Sequence, residues 1–171
     1  MEFLNNLKDK IPDWAKDVRL NIDGTMARSS LSPVEVQGVA VSAAYALKNR
    51  YLVETFKEGL EESELNGVLT SASLMGMNNT YYPFAHLNDE LANLPAKLRM
   101  NAYANSGGIE KGHFEIYGLA ASIIGKCDHC IKAHINGAKE AGYTTEQIQD
   151  IGRITAVVNA IAGVLAITQT D

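Results

Sequence analysis

The sequence predicts an all-α protein, and three observations carry that prediction. Apolar residues recur at helical spacing along nearly the whole chain. No run rich in Val, Ile and Thr alternates with period two between hairpin turns. Several prolines and glycines fall where helices start and stop. A chain of 171 residues is expected to form one compact domain with a substantial core.

Taken in order, the spacing predicts helices over 2–10, 12–26, 33–48, 51–59, 63–77, 80–91, 111–124, 127–141 and 145–168. Pro12 and Pro33 follow Ile11 and Ser32 and suit first-turn positions, where the missing amide hydrogen costs little. Gly142 after Lys139-Glu140-Ala141 suits a helix stop. Thr144 with Gln147 three residues on makes a capping box for the last helix. The apolar stretch from Ile154 to Ile167 is interrupted by Thr155, Asn159 and Gly163 and is shorter than the roughly 20 residues that span a bilayer, so it reads as a buried helix.

An internal repeat organises these elements. Glu35-Val36-Gln37-Gly38-Val39-Ala40 and Ser42 match Glu115-Ile116-Tyr117-Gly118-Leu119-Ala120 and Ser122 at a constant offset. Asn105-Ser106-Gly107-Gly108 is the best linker between the copies. Two related helical lobes within one domain are therefore expected, about 1–104 and about 109–171. In the ungapped match, Leu47, Asn49 and Arg50 stand where the second copy has Cys127, His129 and Cys130, which confines the chemistry to the second lobe. Glu35, with no thiols to serve, reads as a structural remnant.

Bulk charge narrows the function. A net charge of −5, with basic residues scattered among acids, argues against a nucleic-acid or anionic-membrane partner, since those need clustered Lys and Arg. The first residues lack the layout of a signal peptide, so a cytoplasmic protein is expected. The two cysteines, too few for a disulfide framework, both fall in Cys127-Asp128-His129-Cys130, followed by His134. In a reducing compartment such a pair signals redox cycling or metal ligation.

On a helix opening at Cys127, Cys130 lies about 60° from it in azimuth, and His134 falls between them one turn above Cys130. His129 comes out on the opposite side and reads as a supporting or packing residue. A helix start and an imidazole both favour the reactive thiolate. Glu115 is able to orient His134, but on one straight helix it would lie roughly 18 Å from Cys127, so it contributes only if its helix folds back alongside. His86 and His113 have no sequence partners and read as surface or packing residues. Met75, Met77 and Met100 read mainly as core, with the lining of an apolar entry path as the alternative.

The pattern Glu115, Cys127-Asp128-His129-Cys130, His134 resembles the active-site signature of the alkyl hydroperoxide reductase AhpD family, within the carboxymuconolactone decarboxylase-like superfamily. Met75-Gly76-Met77-Asn78-Asn79, Leu98-Arg99-Met100-Asn101 and the opening Leu7-Lys8 through Asp17 are also similar to that family. The resemblance implies an all-helical homotrimer with alkylhydroperoxidase activity. It implies regeneration of the peroxiredoxin AhpC, with electrons from a dihydrolipoyl protein and no bound cofactor beyond a redox-active Cys127–Cys130 disulfide. By position, Cys130 would form the sulfenic acid, Cys127 would be proton donor and resolving thiol, and Glu115 with His134 would relay protons.

Two other readings use the same residues. The dithiol would serve as an electron-relay adaptor with little direct peroxide turnover. Alternatively, Cys127, Cys130 and His134 would bind zinc with Glu115 or His129, although structural zinc usually takes a second ligand pair that this chain lacks.

Overall fold

A computed structural model of the chain describes residues 3–168. The expected helix start at Glu2 and the last residues of the second lobe lie outside the described residues. All regular structure among the described residues is helical, as expected. The α-helices are α1 (Phe3–Lys8), α2 (Lys16–Asn21), α3 (Pro33–Ala46), α4 (Arg50–Phe56), α5 (Glu62–Ala85), α6 (Asp89–Ala92), α7 (Lys111–Gly125), α8 (Asp128–Glu140) and α9 (Thr145–Thr168).

Local chemistry explains most boundaries. Ser32 caps α3 in a reciprocal box with Glu35, and Pro33 occupies the first turn. Thr144 and Gln147 exchange bonds of 2.9 and 3.2 Å at the start of α9. Gly142 takes a φ of +97°, which a glycine adopts without strain.

Two expectations change. The single helix expected over 12–26 is instead a 3-10 turn at Asp13–Ala15, then α2, then a wide π-type winding at Ile22–Ala27. Gly24 weakens helix preference there, and Thr25 Oγ1 donates to the Asn21 carbonyl at 2.5 Å. The helices expected over 63–77 and 80–91 merge through Asn78-Asn79 into α5. Asparagine interrupts helices by bonding its own backbone. Here Asn79 Nδ2 instead donates to Ala121 O on α7 at 3.0 Å, so the competition is absent. Asn88 then caps the short α6 separately.

The core sits where α3, α5, α7 and α9 meet. Val36, Val39, Ala40, Ala43 and Ala44 of α3 face Ile116, Leu119 and Ala120 of α7 and Ile151, Ile154, Val158, Ile161 and Leu165 of α9. Small residues allow α3 and α7 to approach closely. A Cβ on Gly38 would overlap the buried Tyr117 ring, and Ser42 Oγ donates to Tyr117 O at 2.6 Å. By length and composition α9 would suffice to cross a membrane, but its buried residues form a one-sided stripe against α3 and α7. Asp150 on α9 accepts from Ser30 N at 2.7 Å and Ser30 Oγ at 2.8 Å, tying the loop before α3 to this helix.

Candidate active site

The turn between α7 and α8 builds the thiol site. Lys126 adopts left-handed backbone (φ 53°) and ends α7, and Cys127 then caps α8. Cys130 N donates to Cys127 Sγ at 3.2 Å, so a sulfur occupies the place usually held by a capping oxygen. The two sulfurs are joined in a disulfide, with Cα atoms 5.2 Å apart. Cys127 is fully buried, whereas Cys130 is 4% exposed.

The reversal folds α8 back along α7, which meets the condition set for Glu115. His134 Nδ1 lies 2.7 Å from Glu115 Oε2. Two glycines make room for this pair. A Cβ on Gly118 would strike the His134 ring, and one on Gly137 would strike the Glu115 carboxyl group. A nitrogen facing a carboxylate carries the hydrogen, so Nε2 is the acceptor of the neutral ring. Nε2 faces Met75 Sδ at 3.1 Å and Tyr103 Oη at 3.5 Å.

Cys130, His134 and Glu115 line one cavity of about 310 Å³ together with Asn78, Tyr82, Met100, Tyr103, His129 and Ala133. Cys127 does not line it. His129, expected on the far side of α8, nonetheless joins the wall because α5 reaches round to meet it. Its ring stacks on Tyr82 at 4.6 Å and meets the edge of His86 at 4.7 Å. Partial burial, then the nearby His86 and Lys132, lowers its pKa. Among the sequence-predicted methionines, Met75 is buried against His134, Met100 lines the cavity and Met77 is part-exposed elsewhere.

Sequence reasoning did not single out Tyr103 and Asn78 for chemistry. Tyr103 lies in the 3-10 segment Asn101–Gly108, its ring parallel to that of His134 and edge-on to Phe114. Burial and then the Glu115 charge push its phenol well above the usual value, against a smaller lowering by a hydrogen bond from Asn78. It is therefore a neutral hydroxyl. Asn78 falls within the Met75–Asn79 run that resembles the AhpD family, whereas Tyr103 lies just beyond the Leu98–Asn101 run and carried no signal.

His113, expected to lack partners, lies 2.7 Å from Glu64 and 3.8 Å from Glu35. Tyr117 donates to Glu64 at 2.6 Å and Tyr143 to Glu35 at 2.5 Å, so Glu35 anchors a structural network remote from the thiols.

The family model described as the carboxymuconolactone decarboxylase family matches residues 89–169. The alkyl hydroperoxide reductase AhpD of Coxiella burnetii (strain Dugway 5J108-111) is 44% identical over 171 residues, covering 95% of this chain and 96% of that protein. The chain belongs to the AhpD family. AhpD proteins of Rhodospirillum centenum and Brucella anthropi are 43% and 37% identical, covering 93% and 98% of this chain and 88% and 99% of their own lengths. Membership supports an oxidoreductase of the alkyl hydroperoxide reductase type, and the Cys127–Cys130 pair suits the redox role. The zinc reading gains no support: among the described residues no three His, Cys, Asp or Glu gather into a metal-holding group, and His134 Nδ1 is committed to Glu115.

Proposed function

We propose that this AhpD-family protein reduces alkyl hydroperoxides through a Cys127–Cys130 dithiol/disulfide cycle and regenerates the peroxiredoxin AhpC with electrons from a dihydrolipoyl protein. The observation that carries the reading is the opening of Cys130, but not Cys127, onto the cavity that holds the His134–Glu115 pair.

In the reduced protein His134, oriented by Glu115, takes the Cys130 proton. The Cys130 thiolate attacks the terminal peroxide oxygen, an S–O bond forms and the O–O bond breaks. Cys127 gives its proton to the departing alkoxide. As a thiolate, it then attacks the Cys130 sulfenic sulfur, and the displaced hydroxide takes the proton held by His134 and leaves as water. One hydroperoxide and two thiols thus become one alcohol, one water and one disulfide.

Helix geometry also suits the return step. An incoming dithiol reaches Cys130 through the cavity and expels Cys127 as thiolate. At the α8 cap that thiolate accepts the Cys130 amide hydrogen, which makes it the better leaving group. His129, stacked on Tyr82, supports the cavity mouth.

A homotrimer in the cytoplasm completes the proposal. Association is supported by the exposed Phe84, Leu87 and Leu94, apolar residues that a partner surface would cover. Sedimentation at micromolar concentration tests the assembly. Mass spectrometry before and after one equivalent of cumene hydroperoxide tests the chemistry. Loss of two hydrogens, reversed by dihydrolipoamide, is expected, and an unchanged mass removes the first step. Steady-state rates with and without AhpC separate direct peroxidase action from electron relay, because strict dependence on AhpC would favour the relay.

A further inference from the structure

The thiols and the His134–Glu115 pair account for the redox chemistry but leave part of the cavity wall without a role. Asn78 is only 7% exposed and lines the cavity, yet its Oδ1 has no hydrogen-bond partner. A buried acceptor without a donor is costly and calls for an explanation. Next to it, the Tyr103 hydroxyl receives a hydrogen bond from Asn78 and lies 3.5 Å from His134 Nε2. With Met75 Sδ only 3.9 Å from the same oxygen, the phenol hydrogen has a basic nitrogen and a weak sulfur acceptor before it.

Resting on the peroxidase reading above, we infer that Asn78 Oδ1 and the Tyr103 hydroxyl seat the O–O–H group of the hydroperoxide beside Cys130. A hydroperoxide carries one donor, the terminal O–H, and acceptor lone pairs on both oxygens. Asn78 Oδ1 takes the terminal hydrogen, which turns the terminal oxygen toward the sulfur. Tyr103 donates to the inner oxygen, where negative charge develops as the O–O bond breaks and where a fixed donor contributes most.

The resting geometry links this seat to thiol activation. While His134 is neutral, its Nε2 accepts the Tyr103 hydrogen. When His134 takes the Cys130 proton, Nε2 becomes a donor and the phenol hydrogen is released to the substrate. Thiolate and substrate donor therefore appear together, without any change of backbone. Tyr103 keeps its own proton throughout. The alkoxide is protonated by Cys127, as above, so the atom balance is unaltered. The inner substituent of the peroxide then extends past Met100 and Tyr82, which favours apolar alkyl and aryl hydroperoxides over hydrogen peroxide.

The test compares two oxidants of the pre-reduced protein. Cumene hydroperoxide uses the seat, whereas lipoamide, a disulfide without an O–O–H group, needs only the Cys130 thiolate. Tyr103→Phe is expected to slow oxidation by cumene hydroperoxide roughly 100-fold, the scale of a lost transition-state donor. Its exchange with lipoamide, which shares the cavity and His134 but not the O–O–H seat, should fall by no more than about tenfold, so the ratio of the two rates drops at least about tenfold. Asn78→Ala is expected to raise the KM for cumene hydroperoxide about tenfold, with a smaller loss in lipoamide exchange. Equal losses with both oxidants, or no loss with either, overturn the inference, and lipoamide exchange reports a misfolded variant directly. Wild-type protein that exchanges with lipoamide but ignores cumene hydroperoxide overturns the peroxidase reading as well. That result is distinct from a Tyr103→Phe variant that reacts like wild type, which overturns this inference alone.

Discussion

Gly118→Ala perturbs the proton relay without removing any of its groups. A methyl group at this position on α7 would lie 2.5 Å from His134 Cε1 and 2.7 Å from Nε2, where ordinary contact begins at 3.4 Å. The ring must therefore retreat by about 0.9 Å, and it is a rigid plane that moves as a unit. A displacement of that size along the wrong direction takes the 2.7 Å contact with Glu115 out of hydrogen-bond range. Misplacement of a reacting group by about 1 Å costs on the order of 100-fold in rate. The stability cost is smaller. Overpacking costs roughly 1–3 kcal/mol, offset by the 0.5–1 kcal/mol that alanine gains over glycine inside a helix, so a net loss on the order of 1 kcal/mol is expected. The assay pairs kcat/KM for cumene hydroperoxide, with dihydrolipoamide as reductant, with the urea midpoint. Gly152→Ala supplies the control, since a Cβ there meets nothing within 4 Å. A folded Gly118→Ala protein with wild-type kcat/KM would show that His134 needs no fixed register with Glu115, and the relay would have to be abandoned.

Further substitutions test the separate parts. Cys130→Ser should abolish peroxide turnover, while Cys127→Ser should stop at a sulfenic acid that dimedone labels by mass. The reverse pattern would exchange the two roles. Under reducing conditions Cys127→Ala should lose about 1 kcal/mol through the missing α8 cap, and Cys127→Asn should largely retain wild-type stability, as read from urea midpoints. Burial raises the Glu35 and Asp150 carboxyls, but hydrogen bonds from Tyr143 and Ser32, and from Ser30, Arg153 and Ser29, outweigh it and hold both below their ordinary values of 4.5 and 3.8. Depressed folded pKa values mean stability that is present above those values and lost as the pH falls through the folded ones. The urea midpoint should therefore drop between pH 5 and pH 3, and Asp150→Asn should flatten that drop; an unaltered slope would contradict the assignment. Gly38→Ala drives a methyl group into the buried Tyr117 ring and should cost roughly 1–3 kcal/mol by thermal or urea unfolding, while a neutral result would mean that α3 and α7 have slack.

What the sequence disclosed divides along local and tertiary lines. Cys127, Cys130 and His134 share a helix, so their common face follows from spacing alone. Glu115 was legible only as a condition, because its contact with His134 depends on the reversal at the left-handed Lys126; Gly125 beside it marks a break but not the direction in which the chain returns. Tyr103 and Asn78 come from two other segments and meet His134 only through packing, so no periodicity could pair them. The same limit hid the partners of His113, which lie on α3 and α5. The missed continuity of α5 has a related cause: Asn79 reads locally as a helix breaker, and only the carbonyl of Ala121 across the interface turns it into a helix residue.

The proposed two-lobe organisation draws its support from the turns that end α3 and α7. Lys48 and Lys126 are both left-handed, at φ 58° and 53°. The caps that follow match as well, Asn49 at φ −93°, ψ 94° and Cys127 at φ −92°, ψ 95°. Asn49 Oδ1 accepts from Leu52 N at 3.0 Å, as Cys127 Sγ accepts from Cys130 N at 3.2 Å. Matched by geometry, Cys127 stands at the place of Asn49 and Cys130 at that of the buried Leu52, two residues away from the ungapped sequence match. We take these paired turns as support for a duplicated lobe. A capping position already requires an acceptor at a helix N-terminus, and a thiolate meets that requirement while adding a nucleophile or leaving group. The neighbouring position is buried and apolar in the first copy, as Leu52, and a thiol also suits a buried apolar site. Two cysteine substitutions in such a turn therefore install a dithiol without altering the backbone that holds it. The first copy has Glu35 and Gly38 where the second has Glu115 and Gly118, but Phe56 stands at the geometric place of His134, so only the second copy carries the acid–base pair.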